Sequence, residues 1–372
     1  MKSTLLKLML AAMVLAVASC SRPSAGGERG ADGQNATAIS GNATGQNATA
    51  EYGNAADGGA LRGMKVERLL PTTPVKDQGH SELCWIYAAL ATIEADHAAT
   101  GDSVNLSTDW LARRMLMRQA RLCYFSRGRR RMSMRGTLPM AIRLLREEGV
   151  VPYDSYNAST SVNWRALGRR AAMAALSQPT LTAADRAVGR VVDHVVGYQP
   201  PHVFMLGAEY TPQDFAQSVC RRGEWRMYTS FTHHPFYADI ALELPDNQFG
   251  DTFYNVPLPR LMRLLDASLD AGHAVGWEGD TSEEGFRWQR GVADVPPGAD
   301  CSQQGRQRQF ERRLTTDDHC MAIVGRAVAP DGTRYYIAKN SWGASNARHG
   351  FILLSERYVR LKTVALMINV VK

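Results

Sequence analysis

Long hydrophobic runs are scarce in this chain of 372 residues, and beyond the first twenty residues no stretch of 18 uncharged apolar residues occurs. A helix that spans a bilayer needs about 20 such residues, so no transmembrane helix is expected there. Cysteine is also sparse, with six residues in total. So few cysteines exclude a disulfide-built scaffold. Apolar content of 45% with charged content of 21% is typical of a folded protein and excludes a disordered one.

The amino terminus has the pattern of a targeting segment. Two lysines precede the apolar run Leu8–Ala18, which is too short to span a bilayer and leads into "VASC", residues 17–20. Small residues before a cysteine resemble the lipobox of bacterial lipoproteins. The resemblance implies that residues 1–19 are a signal peptide and that Cys20 carries lipid. It places the protein in the bacterial cell envelope, at the outer membrane in view of Ser21. A plain secretory signal with an incidental cysteine is the alternative.

The next segment has the composition of a linker. Residues 20–62 are rich in Gly, Ala, Asn, Ser and Thr, and "GQNATA" occurs twice in them. Such a composition cannot bury apolar surface, which predicts a flexible tether. Residues 63–372 are then the folded domain.

Helix signals come early in this domain. Dense apolar positions without Gly or Pro predict a buried helix over Glu82–Ala99. "NLSTDWLARRMLM" predicts a second helix, with Ser107 or Thr108 as its cap. "GTLPMAIRLLREEG" predicts a third, with Pro139 near its start and Gly149 as its stop.

Strand signals come late. Residues 160–300 predict three further helices, among them "LPRLMRLLDASLDAG", and a short strand in "HAVGWEGD". "MAIVGRAVAPDGTRYYIAKNSWG" predicts two strands joined by a Pro-Asp-Gly turn, and "HGFILLSERYVRLKTVALMINVV" predicts at least one more. Helices early and strands late indicate an α+β fold with the functional site between the two halves.

Four residues have the chemistry of a nucleophilic site. Cys84 stands at a predicted helix start, where the helix dipole lowers the pKa of a thiol. Gln78, in the turn before it, and the Cys84 backbone N–H can donate hydrogen bonds to an oxyanion. His319 enters a predicted strand and can act as the base. Asn340 ends the following strand, where its amide can hold the histidine in one tautomer.

The segments around these residues resemble the three signature blocks of papain-like cysteine peptidases. They read "DQGHSELCWIYA", "DHCMAIVG" and "YYIAKNSWG". The resemblance implies that Cys84 is the nucleophile, His319 the general base and Asn340 the orienting amide. Gln78 then corresponds to the oxyanion-hole glutamine, and Trp342 to the indole that shields the His–Asn pair.

The resemblance also implies a particular architecture. His319 follows Cys84 by 235 residues, against roughly 130–150 in the compact papain type. The longer separation resembles the bleomycin hydrolase or aminopeptidase C branch and implies an insertion at roughly 155–250. The implied fold has two subdomains, a helical N-terminal half and an antiparallel β C-terminal half, with this large helical insertion. Gly136 lies where the family uses backbone to grip the substrate chain.

Two features depart from the family pattern. Glu82 and Leu83 stand where the family has small residues, and a negative charge at Glu82 beside the thiolate would raise the pKa of Cys84. The chain also ends 32 residues after Asn340. The C-terminal arm that enforces aminopeptidase action in that branch therefore has no room, which leads to the hypothesis of an open cleft with endopeptidase activity.

The expected function is a lipid-anchored cysteine peptidase. It would hydrolyse peptide or protein substrates through an acyl-enzyme, and no metal or cofactor is implied. One alternative is a Cys-His amidase or acyltransferase that acts on cell-wall peptide. The other is a catalytically inactive, peptide-binding homologue, which the departure at Glu82 and Leu83 favours.

The remaining histidines have simpler interpretations. His233, His234 and His273 are rival bases, but their neighbours lack the Asn-Ser-Trp-Gly partner. The His233–His234 pair could bind a metal ion. No cysteine or carboxylate cluster accompanies it at ligand spacing, so structural packing is favoured.

The remaining cysteines leave more than one outcome open. Export would place them in an oxidising setting, and an odd number follows Cys20, so one thiol should stay free. Cys320 should face away from His319 on its strand, in a disulfide or in the core. The pairing among the other cysteines is undecided; they are Cys123, Cys220, Cys301 and Cys320.

A basic segment suggests one more partner. Arg113–Arg135 holds nine arginines and no acid, within a chain of net charge +7. An anionic surface, such as lipid phosphate or an acidic peptide, would suit it. A solvated loop and helix face is the simpler interpretation. No aromatic interleaving or nucleic-acid fold signature accompanies the arginines, so nucleic acid is not expected as a partner.

Overall fold

The computed structural model describes residues 61–158, 161–205 and 207–371. The predicted signal peptide, Cys20 and almost all of the predicted tether lie outside these ranges. Within them, no helix is both long enough and apolar enough to cross a membrane.

Three helices follow the first strand, and all three were predicted. Ser107 caps the second helix, because its hydroxyl accepts the Trp110 N–H at 3.0 Å. Gly149 ends the third helix with a φ of 76°, a conformation that suits glycine. The elements are β1 (Lys65–Leu69), α1 (Cys84–Ala99), α2 (Thr108–Phe125) and α3 (Leu138–Glu148).

The middle of the chain alternates helices with short strands. Its elements are α4 (Trp164–Leu176), α5 (Leu181–Val196), β2 (Val203–Met205), β3 (Ala208–Tyr210), α6 (Pro212–Val219), β4 (Trp225–Thr229), β5 (Asp239–Ala241), β6 (Thr252–Asn255), α7 (Leu258–Asp270) and β7 (Val275–Gly279). Strands β4 and β5 belong to the main sheet. The segment predicted as an insertion, roughly 155–250, therefore contains part of the central sheet as well as helices.

The last third of the described chain is mostly strand. Its elements are β8 (Phe286–Arg287), β9 (Val292–Ala293), α8 (Gln303–Glu311), β10 (His319–Val328), β11 (Arg334–Lys339), β12 (Phe351–Ser355), α9 (Glu356–Lys362) and β13 (Thr363–Asn369). Helix α9 was not predicted. It begins after Ser355, whose hydroxyl accepts the Tyr358 N–H at 3.0 Å, and it separates two strands.

Eleven strands of the described chain form one sheet. Its order is β5-β6-β4-β13-β7-β10-β11-β12-β9-β8, with β1 beside β10. Most neighbours are antiparallel, while β4 with β6 and β12 with β9 are parallel. Strand β10 lies centrally. Because Ala322 of β10 pairs with Lys339 of β11, His319 and Asn340 lie at the same end of these two strands.

The centre of the sheet is buried on both faces. Alternate residues of β13 enter two apolar clusters. Ala365 and Met367 join the cluster built by the early helices, whereas Leu366 and Ile368 join the cluster that contains α7. Helix α1 packs on β10. The start of this helix and the start of this strand therefore face one cleft.

A buried ion cluster ties α1 to strand β11. Glu94 is fully buried and accepts hydrogen bonds from Lys76 Nζ at 2.7 Å and from the Leu106 N–H at 2.8 Å. Its other oxygen accepts from the Thr73 hydroxyl at 2.5 Å, and that hydroxyl accepts from Lys339 Nζ at 2.8 Å. Burial raises the pKa of Glu94, but the two lysines outweigh it and the pKa lies below its ordinary value.

Removal of this carboxylate should destabilise the domain. We expect Glu94→Ala to lower the free energy of unfolding by about 3–5 kcal/mol, because Lys339 would stay buried without a counter-charge. Urea denaturation at neutral pH measures the change. Glu94→Gln is the matched control; it retains the volume and part of the hydrogen bonding and should lose less. Equal midpoints for Glu94→Ala and the unmodified protein would contradict a stabilising role.

Candidate active site

Cys84 is the first residue of α1 and lines the cleft. The turn before it is held by Asp77, whose carboxylate accepts the Gly79 N–H at 2.8 Å, with Gly79 at a φ of 56°. Leu83 is the residue before the helix, and no side chain caps the helix. The first-turn N–H groups have no acceptor within a helix. Together with the helix dipole, they favour an anion at Cys84.

Hydrogen bonds hold both the backbone of Gln78 and its side-chain amide. Its backbone N–H donates to the Ser341 carbonyl at 2.7 Å, and the Ser341 hydroxyl donates to Gln78 Oε1 at 2.7 Å. The amide nitrogen Nε2 donates to the Ser81 carbonyl at 2.9 Å. A primary amide has two N–H donors, and this bond engages one of them. The other can serve an anion in the cleft that Gln78 lines.

His319 and Asn340 form a buried pair. The His319 Nε2–H donates to Asn340 Oδ1 at 2.7 Å, and the Ser341 N–H donates to the same oxygen at 2.8 Å. Because the amide oxygen is an acceptor, Nε2 carries the proton and Nδ1 is the nitrogen left to act as a base. The structure therefore brings these two predicted residues together.

Trp342 covers this pair. Its ring centroid lies 4.5 Å from that of His319, with the ring planes 33° apart. Phe286 and Trp288 contact the indole edge-on and hold it in place. His319 is 3% exposed and Asn340 is 2% exposed, so their hydrogen bond is shielded from water.

The Cys84 thiol is acidified. Hydrogen bonds from the Cys320 thiol and from His319, with the charge of His319, hold the pKa of Cys84 well below its ordinary value, against the effect of burial. Cys320 was predicted to lie in the core or in a disulfide. It is buried in the core as one of the two predicted outcomes and is free rather than disulfide-bonded, and its thiol also contacts Cys84. Helix packing over the strand, which sequence cannot show, decides this contact.

The two residues that depart from the family pattern do not block the site. Glu82 is paired with Arg165, whose Nη2 lies 2.6 Å from its carboxylate. Leu83 is fully buried in the core. The expected increase in the pKa of Cys84 is not found, because the neighbouring thiol and His319 decide the direction of the shift.

The cleft is also lined by acids that the sequence analysis missed. These are Asp246, Asp317 and Asp318, besides Glu82. Asp317 and Asp318 stand directly before His319, and this adjacency could have predicted that they lie near the site. Asp246 had no local signal, because it reaches the cleft from a distant loop, where Arg135 Nε contacts its two oxygens at 2.7 and 2.9 Å.

Gly136 lines the same cleft. A Cβ at this position would lie 1.8 Å from the Met140 methyl group and 2.8 Å from the Trp85 indole. Only glycine therefore fits between them. Its predicted contact with substrate backbone stays a prediction.

The other candidate bases, His233, His234 and His273, are not among the described residues that line the cleft, and each pairs with a carboxylate. His273 Nδ1 pairs with Asp96 at 2.9 Å, and this bond raises the pKa of His273. His233 and His234 both contact Glu243, at 3.1 and 2.9 Å. These three residues could hold a metal ion, and Glu243 is a carboxylate partner that no ligand spacing in the sequence indicated.

The hydrogen bonds of Gln307 indicate which nitrogen of His233 carries the proton. Gln307 Oε1 accepts the Thr232 N–H at 2.6 Å, which fixes its amide orientation. Gln307 Nε2 then donates to His233 Nδ1 at 2.9 Å. The proton of neutral His233 is therefore on Nε2, where it is donated to Glu243. A metal ion at Nε2 would require the opposite tautomer.

The arginine-rich segment is partly neutralised. Five of its nine arginines pair with carboxylates: Arg113, Arg114, Arg118, Arg121 and Arg135. Binding of the other four arginines to an anionic surface stays a prediction.

The described cysteines form no disulfide bond. Free thiols are found at Cys84, Cys123, Cys220, Cys301 and Cys320.

No protein-family model matches the chain. A segment of 84 residues is 36% identical to the protein named Cysteine endopeptidase RepA from Oryza sativa subsp. japonica. The match covers 21% of this chain and 22% of that protein, so it spans about a fifth of the relative's length.

Two solved structures are similar in fold. The crystal structure of PepW from Lactobacillus rhamnosis HN001 (DR20) matches with a TM-score of 0.63 and 16% identity, over 84% of this chain and 83% of that one. A structure concerning the mite allergens Blo t 1 and Der p 1 is more distant, with a TM-score of 0.41 and 13% identity, over 81% of this chain and 67% of that one. The PepW likeness supports the predicted fold, and the chain has the papain-like α+β fold.

Proposed function

We propose that this protein is a cysteine peptidase in which Cys84, His319 and Asn340 hydrolyse peptide bonds through an acyl-enzyme. The observation that carries the proposal is that Cys84 and His319 line one cleft, while Asn340 hydrogen-bonds to His319 from the buried side. A thiol of lowered pKa stands at a helix start, beside a histidine whose far nitrogen is held by an amide oxygen. A nucleophile, a base and an orienting group in this order are what acyl transfer requires.

In the first half of the reaction, the Cys84 thiolate attacks the carbonyl carbon of the scissile bond. The carbonyl oxygen becomes an oxyanion, to which Gln78 Nε2–H and the Cys84 N–H donate. Protonated His319 gives its Nδ1 proton to the leaving amine, and the C–N bond breaks. The products of this half are the free amine and a thioester at Cys84.

In the second half, neutral His319 takes a proton from water. The hydroxide equivalent attacks the thioester carbon, and the C–S bond breaks. The carboxylic acid leaves, and the thiolate is restored with His319 protonated. Asn340 holds the ring in one orientation throughout, because its oxygen accepts from Nε2 in both charge states.

The local match to Cysteine endopeptidase RepA supports the proposal, because that protein's name states the same chemistry. The match spans only 22% of that protein. The fold shared with PepW supplies a scaffold in which such a site can form and says nothing of this chain's substrates.

Labelling by a peptide-based electrophile tests the proposal. We expect a peptidyl chloromethyl ketone to alkylate Cys84 selectively, and at a pH well below that at which an ordinary thiol reacts, because only the thiolate is the nucleophile. Mass spectrometry of peptide fragments locates the label, and rates at graded pH give the pKa of the thiol.

Cys320→Ala is the matched variant. It removes the hydrogen bond that lowers the pKa of Cys84, so the rate profile should move to higher pH while the label stays on Cys84. A folded, reduced protein in which Cys84 does not react would favour the inactive, peptide-binding homologue instead.

We further propose that the enzyme is anchored in the cell envelope by lipid on Cys20. This proposal rests on the amino-terminal sequence alone, in which small residues precede the cysteine. A membrane-anchored enzyme of this kind would act on peptides or proteins of the envelope.

A further inference from the structure

One end of the helical half exposes several large apolar side chains. Phe125, at the end of α2, is 68% exposed, and Met173 and Leu176, in the last turn of α4, are 65% and 44% exposed. A Cβ built on Gly128 would lie 3.2 Å from Leu176 Cδ1, and the Gly128 N–H donates to the Cys123 carbonyl at 2.9 Å. The turn that follows α2 therefore contacts the end of α4, and the three exposed apolar residues lie at the same end of the helical half.

Arginines without an acidic partner lie at this end as well. The chain that leaves Phe125 carries four of them, and Arg169 precedes Met173 by about one turn on the exposed side of α4. No carboxylate of the described residues forms an ion pair with these five side chains. Asp185, in α5, already pairs with Arg121 at 3.0 Å. The four arginines after α2 are Arg127, Arg129, Arg130 and Arg131.

The combination of these two features indicates the kind of partner. Single exposed apolar residues are common on soluble proteins, and so are solvated arginines. An anionic lipid surface satisfies both groups at once, because apolar side chains enter the interface and guanidinium groups bind phosphate. Arg127 and Gly128 have positive φ angles of 52° and 77°, so the chain reverses sharply at this tip. A projecting tip suits a lipid surface, whereas peptides bind in grooves or along sheet edges.

We propose that the ends of α2 and α4 form a docking surface for an anionic lipid bilayer. Phe125, Met173 and Leu176 enter the interface, while Arg129 and Arg169 bind lipid phosphates. The surface adds an interaction to the proposed peptidase activity and does not require lipid on the amino terminus. It is also narrower than the arginine-rich segment singled out in the sequence, because half of it comes from α4.

Helix α4 connects the docking surface to the cleft. Arg165, in the first turn of α4, pairs with the cleft residue Glu82 at 2.6 Å. A rise of 1.5 Å per residue places Leu176 about 16 Å from Arg165 along the helix. The docked protein would therefore hold its cleft close to the bilayer, where membrane-bound peptides and proteins are within reach.

Cosedimentation with vesicles tests the docking surface in the absence of a lipid anchor. The chain used is residues 20–372 with Cys20→Ser, which lacks the predicted signal peptide and the thiol predicted to carry lipid but keeps every described residue. We expect it to bind vesicles of phosphatidylglycerol and phosphatidylethanolamine. Binding to vesicles of phosphatidylcholine alone should be about 10-fold weaker or less, because these carry no net charge.

An apolar double variant tests insertion into the interface. Phe125→Ser combined with Met173→Ser should weaken binding to the anionic vesicles by about 10-fold or more, because both changes remove apolar area that lipid would bury. Both side chains are exposed, so the fold should be retained. Circular dichroism checks that it is.

A charge-reversal pair tests the arginines. Arg129→Glu combined with Arg169→Glu should weaken binding by about 30-fold or more, because two attractive charges become repulsive. Arg260→Glu combined with Arg263→Glu is the matched control. It makes the same change in net charge on exposed positions of α7, which packs on the other face of the sheet. It should weaken binding by less than about threefold, because distant charges are screened.

The outcomes decide between a defined surface and general attraction. Unchanged binding in the apolar double variant, or equal losses in the two charge-reversal pairs, would overturn the docking surface, because binding would then follow net charge alone. Vesicle binding requires no hydrolysis. A protein that binds vesicles as expected but whose Cys84 does not react would therefore contradict the proposed function and leave the docking surface standing.

Discussion

Replacement of Cys84 by serine is expected to lower kcat/KM for a peptide substrate by about 10⁴-fold or more. The helix start, Cys320 and His319 favour a thiolate at neutral pH, and they cannot ionise a hydroxyl group to a comparable extent. The remaining cleft would still bind substrate, so kcat should fall far more than KM changes. Steady-state kinetics with a fluorogenic peptide under reducing conditions measure both parameters.

Two further variants sharpen this prediction. Cys301→Ser, at another free thiol outside the cleft lining, should leave activity within about twofold, because surface substitutions away from the site have small effects. Cys84→Ala combined with His319→Ala should be no worse than Cys84→Ala alone, because groups that act as one unit are not additive. If Cys84→Ser retained its activity, the nucleophile would lie elsewhere.

Gln78→Ala is expected to lower kcat by about 10²- to 10³-fold, with a small change in KM. Removal of one oxyanion donor costs about 2.7–4 kcal/mol in the transition state, where the charge develops, and little in the ground state. Ser341→Ala is the graded comparison. It removes the hydroxyl that holds Gln78 Oε1 at 2.7 Å but leaves the amide donor present, so its loss should be smaller.

The split between kcat and KM distinguishes this role from a structural one. A Gln78 that only supported the turn before α1 would alter thermal stability and both kinetic parameters together. Unchanged kcat in a folded Gln78→Ala protein would mean that the oxyanion is held by other donors.

Some features of the fold could be predicted because their signals are local. Helix α2 has its cap at Ser107, and α3 has Pro139 in its first turn and Gly149 at its end, so the bounds were readable within a few residues. Helix α9 was not predicted, because it is short. It has seven residues between two strands, which is too short for a helical period to emerge.

The sequence by itself determined the α+β class and the identity of the four candidate catalytic residues. Each of these lies in a short segment whose composition and order are informative without any partner. The structure then brings Cys84, Gln78 and His319 to one cleft and hydrogen-bonds Asn340 to His319, although His319 and Asn340 follow Cys84 by more than half of the chain.

Only the tertiary structure decided the surroundings of these residues. Glu278 meets Asp317 because β7 pairs with β10 in one register, and a shift of one residue would turn its side chain to the other face. Cys320 meets Cys84 because α1 packs on that face, and Asp246 arrives from a loop far along the chain. Charge and pKa in the cleft depend on these distant contacts, since Coulomb interactions follow distance in space and burial, neither of which is written in sequence order.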